Sequence, residues 1–283
     1  MSDTWHSLYL PLTDAAPVAE TLRSLLKDEG YRAYDPFPGG MGTPPGLREM
    51  VRVFVAPPQD GWVRVLGDVP ANVIEALGAQ LGVPVLHGWL TPEDGGFALV
   101  HNGVRHTEPE AIAGALVPDQ SPDQLRRAFA GEIDVPVIDS DQPPVVALGM
   151  DALPPELQAL AQQKDVNPDK AAKMFEKMSG NLFRKIGGGG GDSDEQAQAR
   201  AMMMGQQQNV WNSLAGQRVR AAANVLDLPD NWRTPTLEAV REAYQVHRLR
   251  ERNPRLTLMP GDKEAMQAIP DALDYIPVYF GRR

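Results

Sequence analysis

Trp62 to Leu90, WVRVLGDVPANVIEALGAQLGVPVLHGWL, is the stretch on which the fold class turns. Trp62, Arg64 and Leu66 alternate with Val63 and Val65, the period of two that a strand requires. From Ala71 to Leu81 the period changes. Val73, Ile74, Leu77 and Leu81 recur at helical spacing on one face. Val83 to Leu90 is again a short apolar run with strand character. One helix between two strands in 29 residues points to a mixed architecture.

Downstream, Phe97–Val100 continues as strand. Asn102-Gly103, a strong two-residue hairpin signal, leads into Val104–Thr107. Upstream, Trp5–Leu12 reads as a strand. Pro17–Glu29 reads as a helix with Val18, Leu22, Leu25 and Leu26 on one face, ended by Gly30. Tyr31–Asp35 is a short strand. Pro36–Gly46, with four prolines and four glycines, is a long loop. Met50–Ala56 is a strand with Val51, Val53 and Val55 on one side, and Pro57–Gly61 is a turn. The order strand-helix-strand-strand thus occurs twice. The expectation is an α+β N-terminal domain of two such halves, with one sheet and both helices on one face. Short helices at Glu110–Ala115 and Pro122–Ala130 complete a domain over residues 1–150.

Beyond it, Glu156–Gln163 and Pro168–Lys185 suggest a helical connector, 151–186. The second of these helices starts at Pro168 behind the capping residue Asn167. Gly187–Gly191 cannot sustain helix or strand, so 187–193 is expected to be a glycine-rich linker. A phosphate-cradling loop would need a lysine just inside the following helix. Here Asp192, Asp194 and Glu195 follow instead. Residues 194–283 are expected to form an α-helical C-terminal domain, with helices over Asp194–Leu226, Pro235–Arg252 and around Lys263–Ala268. A break is expected near Gly205 or Gly216. The apolar tail Tyr275–Phe280 should be buried or docked.

The chain has 283 residues and no cysteine, which excludes disulfides, thiolate metal sites and cysteine nucleophiles. Its net charge of −10 is uneven: residues 1–199 hold 15 basic and 28 acidic side chains (−13), residues 200–283 hold 12 and 9 (+3). The acidic part should repel nucleic acid and anionic lipid, and the two parts should attract each other. No apolar run reaches membrane-spanning length, and Met1–Leu12 lacks the pattern of a signal peptide. A cytoplasmic location and no membrane partner are expected.

The hairpin register puts His101 and His106 on one face, and His87 on the neighbouring strand could join them as zinc ligands. That face also carries Phe97, Leu99 and Val104 and reads as a core face, so no metal or cofactor is expected. Asp139, Asp141, Asp192 and Asp194 lie in Pro- or Gly-rich connections, where solvated acids are usual. Gly-x-Ser-x-Gly does not occur. In the helix Pro235–Arg252, Leu237, Val240, Tyr244 and His247 form the apolar stripe. Arg241, Arg248 and Arg252, extended by Arg255, form a stripe suited to carboxylate or phosphate. Its alternative reading is a solvated face, or one docked on the chain's own acidic part. Met202–Met204, Gln206–Gln208 and Trp211 read as gap-filling core, with an adaptable binding surface as the alternative.

The functional expectation is a non-enzymatic interaction or scaffold protein that binds a protein partner or a second copy of itself. Arg241, Arg248, Arg252, Arg255, Tyr279 and Phe280 would be the partner-binding residues. The alternative is a small-molecule- or metal-binding, hydrolase-like enzyme with its site near His87, His101 and His106, under the loop Pro36–Gly46 as a lid. A weaker alternative is nucleic-acid binding through the arginine stripe, which the overall acidity disfavours.

Overall fold

A computed structural model describes residues 4–119, 121–138, 210–255, 257–258 and 260–283. All of these fall in one compact unit, Met1–Ile138 with Gln206–Arg283. The expected connector, the pentaglycine linker, Asp139, Asp141, Asp192, Asp194 and the Met/Gln-rich segment lie outside the described residues.

Among the described residues the elements in order are β1 (Trp5–Leu10), α1 (Ala16–Asp28), β2 (Arg32–Ala33), β3 (Glu49–Val55), β4 (Val63–Leu66), α2 (Ala71–Leu81), β5 (Val85–Leu90), β6 (Gly95–His101), β7 (Val104–His106), α3 (Pro109–Leu116), α4 (Pro122–Ala130), α5 (Leu214–Val225), α6 (Leu237–Arg252), α7 (Pro260–Ala268), a 3-10 turn (Ala272–Asp274) and β8 (Ile276–Arg282). The eight strands form one antiparallel sheet in the order β2-β8-β3-β4-β1-β5-β6-β7. At its centre, β1-α1-β3-β4-α2-β5 has the spatial order β5-β1-β4-β3, the split β-α-β plan termed ferredoxin-like. The protein is therefore mixed α+β, and the strand-helix-strand-strand order does occur twice.

Strand alternation divides the core between the two faces of the sheet. Leu8, Leu10, Val53, Val63, Val65 and Val278 point to one face, where Val18, Leu22 and Leu26 of α1 and Val73, Ile74 and Leu77 of α2 cover them. Each such side chain, when fully buried, contributes about 1.5–3 kcal/mol. The opposite face is covered in two blocks. Leu86, Phe97 and Leu99 pack against Ile112 of α3, Leu125 of α4 and Val219 of α5. Phe54, Leu66 and Tyr279 pack against Val240 and Tyr244 of α6. Within the first block stand three tryptophans, Trp5, Trp211 and Trp232. Their ring centroids are 5.2–5.4 Å apart in edge-to-face pairs, a favoured geometry for aromatic quadrupoles.

Local chemistry sets the boundaries. Asn102 (φ 51°) and Gly103 (φ 74°) both take the left-handed conformation that a type I′ hairpin demands. The helical run breaks close to Gly216, one of the two places where a break was expected. Ser213 breaks the helical run, and its side chain caps α5 by accepting from the Gly216 N–H at 3.1 Å.

The larger departure is β8. An all-helical C-terminal segment was expected, yet Ile276–Arg282 is an interior strand hydrogen-bonded to β3 along its length and to β2 at Phe280 and Gly281. Alternation explains it, with Val278 and Phe280 facing α1 and Tyr279 facing α6. Pro277 is tolerated because β2 spans only Arg32–Ala33 and so leaves that edge of β8 without a strand. The Pro277 carbonyl there accepts from Arg23 Nη2 at 3.0 Å. Among the described residues, no helix is long and apolar enough to cross a membrane.

Candidate partner-binding cleft

β2 is the edge of the sheet, and only two residues long. The chain leaves it through a loop that folds back on itself. Asp35 Oδ1 accepts from the Phe37 N–H at 3.0 Å, and the Asp35 carbonyl accepts from the Gly42 N–H at 2.9 Å. An aspartate is suited to such a turn because its short side chain reaches the backbone two residues on. Phe37 anchors the loop, its ring 4.7 Å from Tyr244, 5.1 Å from Tyr279 and 5.8 Å from Phe54. Beyond this anchor the loop is outside the core, and Met41 at its tip is 100% exposed.

Between this loop, α1 and β8 lies a cleft of ≈ 630 Å³ lined by, among others, Arg23, Lys27, Tyr34, Met41, Pro44 and Tyr279. Its α1 wall is cationic. Neither Arg23 nor Lys27, nor the exposed Arg32 on β2, has an acidic partner among the described residues. Arg23 is instead held by the Pro277 carbonyl.

The arginine stripe of α6 braces the far side of the loop. Arg248 lies 4.0 Å from Asp35 Oδ2, with its guanidinium 6.0 Å from the Tyr244 ring centre. The Arg252 guanidinium lies directly against Gly39, where a Cβ would overlap it. Arg241 and Arg255 are exposed. The structure thus brings Arg248 and Arg252 onto the loop, as in the docked reading of the stripe, and leaves Arg241 and Arg255 outward.

Tyr279 and Phe280 are interior residues, 5% and 2% exposed. Both reach the cleft only as part of its floor. Burial pushes the Tyr279 phenol well above its ordinary pKa, and its hydroxyl is buried with no hydrogen-bond partner.

The three candidate metal histidines are not brought together. His101 opposes Val104, and His106 opposes Leu99, so these two share a face of the hairpin. His87 opposes Ala98, a residue of the other parity, and so projects to the opposite face of the sheet. There His87 meets His6, with His6 Nδ1 3.4 Å from His87 Nε2. Arg105 Nη2 lies 3.4 Å from His87 Nδ1. Among the described residues, no three His, Asp or Glu side chains converge as a metal site. The His101 Nδ1 atom is buried without a partner.

The sequence reading missed His6 and Arg64. Arg64 was visible as a polar residue in an alternating strand, but its depth depends on what covers that face. No protein family, curated protein or solved structure matches the chain.

Proposed function

We propose that this is a non-catalytic interaction protein that takes an extended, acidic segment of a partner protein into the cleft beside β2. One observation carries the reading: an open cleft at a sheet edge, with Arg23 and Lys27, which have no acidic partner among the described residues, on its α1 wall and the fully exposed Met41 on the other side, next to the exposed Arg32 of β2. Exposed methionine is an adaptable contact for varied side chains. Unpaired cations beside an open strand edge suit an acidic strand-like ligand, whose backbone would pair with β2. Cationic rims act chiefly through faster association and selectivity.

The chain lacks cysteine, so Met41→Cys creates one attachment point for a photo-crosslinker. Labelled protein, irradiated in extract of its own cells, should capture an acidic segment identified by mass spectrometry. Capture should fall at least tenfold in an Arg23→Glu/Lys27→Glu background. The same label at Val104, on the opposite edge of the sheet, should not capture that segment. Equal capture from both positions, or capture indifferent to the charge reversal, would refute the proposal.

A further inference from the structure

At the middle of the sheet face opposite α1 and α2, β4 buries a whole guanidinium. Arg64 is 7% exposed. Its Nε donates to Ser7 Oγ at 3.1 Å, and its Nη1 donates to the carbonyls of Asn231 at 3.1 Å and Thr234 at 3.0 Å. All of these acceptors are neutral. No carboxylate among the described residues pairs with it. The nearby phenols of Tyr9 and Tyr275 do not compensate it either, since burial pushes each up to about 12 and keeps it uncharged at neutral pH. A buried charge is costly unless it is paired, and arginine does not escape by losing its proton.

Against this guanidinium lies a small cavity of ≈ 20 Å³, lined by Tyr9, Trp62, Arg64, Asn231 and Tyr275 among others. A cavity holds one water-sized particle once it exceeds about 10–15 Å³. Phosphate and sulfate are too large for such a space, and among common anions the monatomic halides come nearest to its size. Tyr275 lines the same cavity, and its protonated phenol is a second group able to donate there.

We propose that this cavity is a halide site, occupied by chloride, in which the anion compensates the Arg64 charge. The arginine then joins three parts of the structure: β1 through Ser7, β4 itself, and the Asn231–Thr234 segment between α5 and α6. Chloride would hold that segment onto the sheet, which makes the packing of α6, the next element, sensitive to halide.

The test uses the full chain. Thermal unfolding is followed across a chloride series, with gluconate holding ionic strength constant. Specific binding to the folded state should raise Tm by about 3–5 °C per tenfold increase in free chloride once the site is filling. Bromide should act likewise and give an anomalous-scattering peak beside Arg64 in crystals. Arg64→Met should abolish the halide dependence, and Arg64→Lys should retain part of it. If Arg64→Met does not fold, the wild-type series and the bromide map decide alone. Equal Tm in chloride and gluconate, with no bromide peak in the cavity, would overturn the proposal and leave a water as its occupant.

Discussion

His87 offers a quantitative test of how the sheet's α1/α2 face handles a buried imidazole. Its side chain meets His6 from β1, Arg105 from β7 and the ring of Trp89, 5.6 Å away, on its own strand. An Arg105 N–H directed at Nδ1 requires that nitrogen to be unprotonated. The neutral ring then donates from Nε2 to His6 Nδ1. Adding a proton places it against the arginine cation in a site with little water. Burial is the main cause, with Arg105 and His6 adding to it, and together they lower the pKa from the ordinary 6.5 to about 4.

The sign follows directly. Between pH 6.5 and 4 the unfolded chain carries a proton on this histidine that the folded chain refuses, so stability falls as pH falls through that window. A shift of 6.5 − 4 = 2.5 units, at about 1.4 kcal/mol per unit, amounts to about 3 kcal/mol. His87→Gln keeps a polar side chain and removes the titration. Urea unfolding of both proteins at half-unit steps from pH 8 to pH 4 cancels the titration they share. Wild type should lose about 3 kcal/mol more than His87→Gln over that range, nearly all of it below pH 6.5. Parallel profiles, differing by less than about 0.5 kcal/mol at every pH, would refute the argument that this imidazole is buried neutral.

Three further outcomes follow from the packing. Phe280→Ala, in a fully buried position of β8, should cost about 3–5 kcal/mol in urea unfolding; a cost under 1 kcal/mol would mean that β8 is not an integral strand. Gly88→Ala would set a Cβ 2.7 Å from the Phe97 ring and 2.8 Å from Trp5. It should destabilise by about 1–3 kcal/mol and alter the near-ultraviolet circular dichroism of the tryptophan cluster, whereas an unchanged spectrum would place Trp5 elsewhere. Met41→Asp, at a side chain with no burial to lose, should leave stability within about 0.5 kcal/mol of wild type while weakening at least tenfold, in a titration with the synthetic peptide, the binding of any acidic segment that the crosslinker identifies; a large loss of stability would show that the loop tip is packed.

Much of the fold was legible because its elements are amphipathic on their own. Helix α1 shows a clean stripe ending at Gly30, and the hairpin after β6 announces itself in Asn102-Gly103. β8 was legible only as something buried, because Pro277 interrupts its pattern and the helices before it dominate that part of the chain. The sequence separation between β8 and β3 leaves no local trace of their pairing. The histidines illustrate the same limit. His101 and His106 could be placed on one face because two turn residues set their register. His87 sits beyond a longer connection, and one residue of register decides which face it occupies. The arginine stripe on α6 was readable, but not that Arg248 and Arg252 would rest on the loop around Gly39, since that depends on where α6 crosses the sheet.

The position of β8 also makes the protein a lock assembled from two pieces of chain. Residues up to Ile138 supply seven strands with a slot between β2 and β3, and the strand that fills it comes from residues 276–282. A peptide bond cut anywhere between Ile138 and Val210 leaves every one of these strands intact. The halves should then stay locked by backbone hydrogen bonds and by a tryptophan cluster to which both contribute. Expressed separately, they should find each other, and a reporter split across that gap would light only when β8 has entered its slot.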